Sequence, residues 1–213
     1  MSEPELAPPP RLRVADAPAL LAFSMSVLAL EVLLTRLLAY SVHTVVLYAV
    51  LGIALLGFGA AGSLVAIRPR WLEAATRPRA LACSATATAL SIPLVHAAFL
   101  RMTPSLTQLG AISLVSALLL MLPFLAAGTA VTLALAAAGP NTGRAYAANL
   151  VGSGLGCFIP LVALGTFSAP RLLGLLAVLA WASGVPWVWS ARRDRIGRAL
   201  VTAHATAGVL ALM

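Results

Sequence analysis

Six apolar runs, each long enough to cross a lipid bilayer as a helix, divide this sequence. They cover residues 17–40, 42–67, 80–100, 109–138, 145–164 and 172–190, and a shorter seventh run covers residues 199–213. About 20 consecutive apolar residues span the roughly 30 Å hydrocarbon core as a helix. We therefore predict an all-α, polytopic transmembrane helix bundle with six full spans plus a short or truncated seventh.

The composition excludes a soluble domain. Hydrophobic residues make up 61% of the chain and charged residues only 9%, whereas about 25% of the residues in an average globular protein are charged. All 14 basic residues are arginines, which is typical of a high-GC bacterial gene. We expect a multi-pass protein of the bacterial cytoplasmic (inner) membrane, with the lipid bilayer as its first partner.

The segments around the runs predict the domain organisation. Residues 1–16 contain three consecutive prolines and predict a disordered cytoplasmic lead, followed by a six-helix membrane domain over 17–190. Residues 191–198 predict a basic cytoplasmic loop before a partial seventh helix over 199–213. A signal peptide is the poorer interpretation of the first run, because its apolar region would be too long and no convincing cleavage site follows.

The arginines predict the orientation of the bundle, because the short cytoplasmic loops of membrane proteins carry an excess of basic residues. A cytoplasmic N-terminus leaves only Arg101 and Arg171 in loops on the opposite side. It places eleven arginines inside: Arg11, Arg13, Arg68, Arg70, Arg77, Arg79, Arg144, Arg192, Arg193, Arg195 and Arg198. The net charge of +8 is therefore an orientation signal, and no nucleic-acid partner is expected.

Glu31 lies near the centre of the first run, where an ionisable side chain costs at least about 2.5 kcal/mol. Two interpretations remain open: a proton or cation site facing the bundle interior, or a neutral, hydrogen-bonded acid that holds helices together. Arg36 lies about 140° around the helix from Glu31, so the two are poorly placed for a salt bridge, and Arg36 can extend to the interface. His43 is expected to be an ordinary interfacial histidine.

The second run carries Gly52, Gly57, Gly59 and Gly62, and small residues at such spacing let two membrane helices approach closely. The last three spell G-x-G-x-x-G. A dinucleotide site also needs a preceding strand and a helix N-terminus at the pyrophosphate, which a continuous apolar run does not provide. We therefore predict a helix-packing surface here and no cofactor site.

The fifth run has one small and polar face. Tyr146, Asn149, Ser153 and Gly156 recur at steps of three or four residues, and Gly152 forms a GxxxG motif with Gly156. This face either lines a substrate cavity, with Asn149 as a hydrogen-bonding group, or seats the helix against a neighbour.

The sequence predicts no catalytic, cofactor or metal site. It contains no HExxH, GxSxG or P-loop motif, and His96 and His204 stand alone in apolar surroundings. Cys83 and Cys157 lack CxxC spacing and are expected to be small core residues. The candidate polar site inside the membrane comprises Glu31, Arg36, Tyr146, Asn149 and Ser153.

Four segments, in order, resemble the membrane-spanning part of bacterial spermidine-synthase-like membrane proteins, which are major-facilitator-like modules fused to an aminopropyltransferase-like domain. The segments are EVLLTRLLAY, LGIALLGFGAAGSL, LPFLAAGTAVTLAL and GRAYAANLVGSGLGCFIPLVAL. The family's E-x-L-L-T-R element matches residues 31–36, and its Y-A-A-[D/N]-L-x-G element matches residues 146–152. Relatives usually have Asp where this chain has Asn149, so one charge is missing here.

The resemblance implies a membrane module that anchors or regulates a synthase-like domain. The family's soluble Rossmann-like domain has no counterpart in these residues, so aminopropyl transfer is not assigned to the chain. Two other hypotheses stay open: a transporter-like half that binds a small, preferentially cationic solute near the midplane, and a structural membrane subunit. The implied protein partners are a downstream synthase-like domain or a second copy of the chain.

Overall fold

The computed structural model describes residues 16–41, 44–102, 111–192 and 195–212. Within these ranges no strand occurs, so the prediction of an all-α fold is confirmed for them. Two short 3-10 helices, Pro69–Leu72 and Gly139–Asn141, lie in the connections after the second and fourth α-helices. The α-helices are α1 (Asp16–Ser41), α2 (Thr44–Ile67), α3 (Arg77–Met102), α4 (Ala111–Ala137), α5 (Thr142–Ala163), α6 (Ala169–Ala191) and α7 (Arg195–Leu212).

Four helical stretches are long and apolar enough to cross a membrane: Asp16–Tyr40, Leu118–Ala137, Gly139–Ala163 and Ala169–Ala191. A shorter apolar stretch, Leu51–Ile67, belongs to α2. The described parts of α3 and α7 are not among these stretches. Among the described residues, four helices therefore carry the membrane character predicted from the composition, and the full count of six spans stays a prediction.

Each predicted run coincides with one helix, but the helix ends differ from the predicted ones. Helix α3 begins at Arg77, before the third run, and α7 begins at Arg195, inside the segment predicted as a basic loop. Arginine is a good helix former whose long side chain keeps its charge in water while the backbone is already helical, which explains these early starts. The predicted lead up to residue 15, and His43, lie outside the described residues.

The helices pack in a pattern that repeats between the two halves of the chain. Helix α1 packs along α5 and α6, α4 packs along α2 and α3, and α3 packs against α6. Exchanging α1, α2 and α3 for α4, α5 and α6 leaves this pattern unchanged. Helix α7 lies against α3 and α6. The outer helices are α2 and α5, each held mainly by one neighbour.

The buried core is built mostly from α1, α3, α4 and α6. Phe23 of α1 and Trp187 of α6 are almost fully buried, and their ring centroids lie 5.2 Å apart at an interplanar angle of 60°. This tilted arrangement is favourable for aromatic pairs. The indole Nε1 of Trp187 has no hydrogen-bond partner among the described residues, so this contact is held by packing alone.

Candidate functional site

Glu31 is half-buried on α1, inside the candidate span Asp16–Tyr40. Its backbone carbonyl accepts a hydrogen bond of 2.8 Å from the Thr35 hydroxyl. In the part of the chain that the structure describes, no group donates to its carboxylate or forms an ion pair with it. An acid at this depth is costly unless it is protonated or paired. The carboxyl group of Glu31 is therefore stable at this depth when it is protonated or when it binds a cation from outside the described residues.

Arg36 does not serve as that cation. It is exposed on α1, near the end of the span, and its position around the helix turns it away from Glu31. A long side chain near a helix end can place its guanidinium at the interface. The structure thus leaves Glu31 and Arg36 separate.

The glycines of α5 make the contact between α1 and α5 very close. A Cβ added at Gly152 would overlap the carbonyl oxygen of Leu21, and one added at Gly156 would overlap that of Met25. A step of four residues along α5, from Gly152 to Gly156, corresponds to a step of four residues in the same direction along α1, from Leu21 to Met25. The helices α1 and α5 therefore run parallel. Only glycine lets the backbones approach this closely.

Asn149 belongs to this same interface. The hydroxyl of Ser24, itself buried, donates a 2.7 Å hydrogen bond to Oδ1 of Asn149. Ser24 lies about 10 Å along the helix axis from Glu31, since a helix rises about 1.5 Å per residue. Asn149 is therefore engaged by α1, away from the intramembrane acid.

The predicted polar site is consequently dispersed. Tyr146 is 53% exposed and Ser153 is half-buried, whereas Asn149 turns toward Ser24 and Glu31 lies two turns further along α1. These side chains share one pair of helices but not one cluster. Of the two interpretations of the α5 face, seating against a neighbouring helix is what its glycines and Asn149 do in this structure.

The glycines of α2 behave differently from one another. A Cβ at Gly57 would lie 2.6 Å from Cγ of Met121 on α4, while Gly52, Gly59 and Gly62 have no such atom within 4 Å. Gly128 of α4, which the sequence analysis did not single out, is as tightly placed against α2. Close packing of α2 on α4 thus rests on one glycine from each helix.

A buried polar network, missed by the sequence analysis, surrounds His204 of α7. His204 is 3% exposed, its Nδ1 lies 3.2 Å from the Thr86 hydroxyl, and its Nε2 lies 2.9 Å from the backbone oxygen of Trp181. A carbonyl only accepts, so Nε2 carries the proton and Nδ1 of the neutral ring accepts from Thr86. The network therefore joins α7 to both α3 and α6.

Two glycines make room for this network. A Cβ at Gly184 would lie 3.0 Å from the ring of His204, and one at Gly208 would lie 2.6 Å from the ring of Trp181. His204 and Gly208 are four residues apart and so share a face of α7. This spacing was the only signal in the sequence, because the partners of His204 are 118 and 23 residues away.

The remaining chemistry-bearing residues stay apart. No group of three or more His, Cys, Asp or Glu side chains in the described ranges is arranged to hold a metal ion. Cys83 is exposed and Cys157 half-buried, and both are free thiols. Cys83 therefore does not occupy the core position expected for it, because its face of α3 is not covered by a neighbouring helix.

The fold and these side chains define a helical membrane protein with a tightly packed, glycine-mediated bundle. No protein-family model, curated protein or solved structure matches the chain. The assignment of a function therefore depends on the geometry above and on the sequence motifs.

Proposed function

We propose that this chain is a multi-pass module of the bacterial inner membrane, with six spans and a cytoplasmic N-terminus, that anchors or regulates a synthase-like domain. The observation that carries the proposal is the packing of α1 against α5. These helices hold the two segments that match the E-x-L-L-T-R and Y-A-A-[D/N]-L-x-G elements. Ser24 and Asn149 join the two helices directly, so the helices that hold these elements are neighbours in space, although the elements lie at different positions along them.

The distribution of arginines supports the orientation. The connections after α2, α4 and α6, with the helix starts that follow them, carry Arg68, Arg70, Arg77, Arg79, Arg144, Arg192, Arg195 and Arg198. The opposite ends of the described helices carry only Arg36, Arg101 and Arg171. An excess of this size on short connections is typical of the cytoplasmic side.

The internal bonding of α3 supports its role as a further span. Its buried hydroxyls donate to carbonyls of their own helix: Ser84 to Ala80, Thr88 to Ser84, and Ser91 to Thr88. Satisfied hydroxyls of this kind are common in membrane helices. Helix α3 also packs against α4, α6 and α7, which shields much of its surface from lipid.

The test is to sequence the native transcript beyond codon 213 and to measure the intact mass of the membrane protein. Continuation into further spans and a nucleotide-binding domain supports the proposal. A stop codon at this position, with no synthase-like domain recovered after chemical cross-linking of native membranes, overturns it.

A transporter-like half is the second candidate, and the repeated packing pattern favours it. If successive spans alternate in direction, α1 and α4 point in opposite directions, so the two three-helix units are inverted repeats of the kind found in transporters. Glu31, half-exposed and without a cation in the described residues, would then act with a solute or a proton. A complete transporter would need a second half or a second copy.

Uptake into proteoliposomes tests this candidate, with spermidine as a representative polyamine cation. Glu31→Gln should abolish uptake, whereas Glu73→Gln, which changes an exposed acid outside the candidate spans, should leave it unchanged. Full uptake by Glu31→Gln would exclude the cation role. If wild-type vesicles show no uptake, and cross-linking of native membranes recovers no synthase-like partner, a structural subunit is the remaining function.

A further inference from the structure

Three helix ends meet at one corner of the bundle. Ala82 near the start of α3 and Val188 and Ala191 near the end of α6 form a small buried cluster, and Leu200 and Val201 near the start of α7 pack against it. The start of α3, the end of α6 and the start of α7 therefore lie side by side. This places the basic residues of all three helix ends around one cluster.

The described helix ends at this corner are strongly basic. Arg79, Arg192, Arg195 and Arg198 are all exposed, and α3, α6 and α7 contain no Asp or Glu. Arg79 lies three residues before Ala82, and Arg198 lies three residues before Val201, so each arginine shares a helix face with a residue of this cluster. Between α6 and α7 the sequence adds Arg193 and Asp194, which lie outside the described residues.

Not every nearby arginine is available for a ligand. The guanidinium of Arg77 donates to the backbone oxygen of Leu72 from Nε at 3.0 Å and from Nη2 at 2.6 Å. Arg77 thus bonds the start of α3 to the connection between α2 and α3. Arg79 also takes part in an interaction with the rest of the chain. We therefore call Arg192, Arg195 and Arg198, together with Trp189, the basic corner.

Trp189 gives the basic corner an apolar component. Its ring is 58% exposed, and the guanidinium carbon of Arg192 lies 3.6 Å from the ring centroid. Stacking holds the guanidinium in place while its N–H groups still point outward in its plane. Ile196, at the start of α7, is 60% exposed and adds apolar surface next to the arginines of that helix start.

We propose that the basic corner binds the headgroup of an anionic phospholipid. Arginine matches phosphate in geometry as well as charge, and Trp side chains favour the level of the headgroups. The corner lies at the end of the candidate span Ala169–Ala191, where a headgroup is adjacent and its acyl chains can cover Trp189 and Ile196. This combination fits a lipid better than an acidic peptide or a free anion. The inference does not depend on the synthase-like or transporter-like assignment.

The test uses the purified full chain in mild detergent, with phosphatidylglycerol and phosphatidylcholine of identical acyl chains as probes. Lipid retention is measured by native mass spectrometry. Wild type should retain phosphatidylglycerol in preference. Arg192→Gln combined with Arg198→Gln should weaken that retention by about 25-fold, since each surface arginine contributes about fivefold. Retention of phosphatidylcholine should not change.

Arg171→Gln is the matched control, because Arg171 is an exposed arginine at the opposite end of the same helix. Arg192→Lys with Arg198→Lys should keep part of the preference, which separates loss of charge from loss of fold. Equal retention of both lipids, an equal effect of Arg171→Gln, or displacement of the lipid by millimolar inorganic phosphate would overturn the proposal. The last result would show a site for free anions instead.

Discussion

Trp181 and His204 exchange two hydrogen bonds between α6 and α7. The indole Nε1 of Trp181 donates to the backbone oxygen of His204 at 2.8 Å, and Nε2 of His204 donates to the backbone oxygen of Trp181 at 2.9 Å. The rings also stack, with centroids 6.0 Å apart. Helix α7, predicted only as a partial helix, is therefore fastened to the bundle by a specific polar contact.

Replacing His204 should loosen α7. His204→Ala removes the bonds to Thr86 and Trp181 and leaves a void, so we expect the free energy of unfolding to fall by about 2 to 4 kcal/mol. Thermal unfolding in detergent measures this change. Thr206→Ala is the control, since its hydroxyl is exposed and bonds only within α7. Unfolding of both variants at the same temperature would show that the network does not stabilise the bundle.

The two classes of glycine on α5 should respond in opposite ways to an added methyl group. Gly152→Ala forces α1 and α5 apart, because its Cβ would overlap the Leu21 carbonyl, and should cost about 1 to 3 kcal/mol. Gly154→Ala meets nothing within 4 Å and should be neutral or stabilising by up to about 1 kcal/mol. Unfolding titrations with SDS compare the two, and equal stability would contradict the close helix contact.

A double-mutant cycle should detect the bond between Ser24 and Asn149. We expect a coupling of about 1 kcal/mol between Ser24→Ala and Asn149→Ala, within the range measured for hydrogen bonds between membrane helices. The same cycle with Ser153→Ala in place of Asn149→Ala should give no coupling, because Ser153 is on α5 but does not bond Ser24. Coupling of equal size in both cycles would indicate general loosening of the interface.

Single cysteines should report the proposed orientation. With Cys83 and Cys157 replaced by alanine, Thr166→Cys, between α5 and α6, should react with a membrane-impermeant maleimide added to intact spheroplasts. Ala75→Cys, between α2 and α3, should react only after permeabilisation. Both positions are exposed, so accessibility within the protein is matched. The reverse pattern would place the N-terminus on the other side.

Helix positions were predictable from the sequence because an apolar run of membrane length leaves the backbone few alternatives. Which face of a helix packs was much less predictable. Helix α2 is apolar all round, so nothing in its pattern distinguishes Gly57, which contacts α4, from Gly59, which does not. The period of hydrophobicity that marks the buried face of a soluble helix is missing here.

The polar contacts were harder to foresee for a related reason. Ser24 and Thr86 look like ordinary small residues in apolar runs, and their bonds to Asn149 and His204 depend on how distant helices pair. His204 was interpreted as an isolated histidine because no partner lies near it in sequence. A single sequence contains no signal for such pairings.

The parallel contact of α1 with α5 also determines when during synthesis α1 can reach its final packing. Ser24 and Asn149 are 125 residues apart, and at about 5–20 residues per second the ribosome needs about 6 to 25 s to produce the second after the first. Throughout that interval α1 lies in the membrane without α5, and α2, made next, packs mainly on α4. The contact between α1 and α5 therefore forms only after most of the other helices have been made.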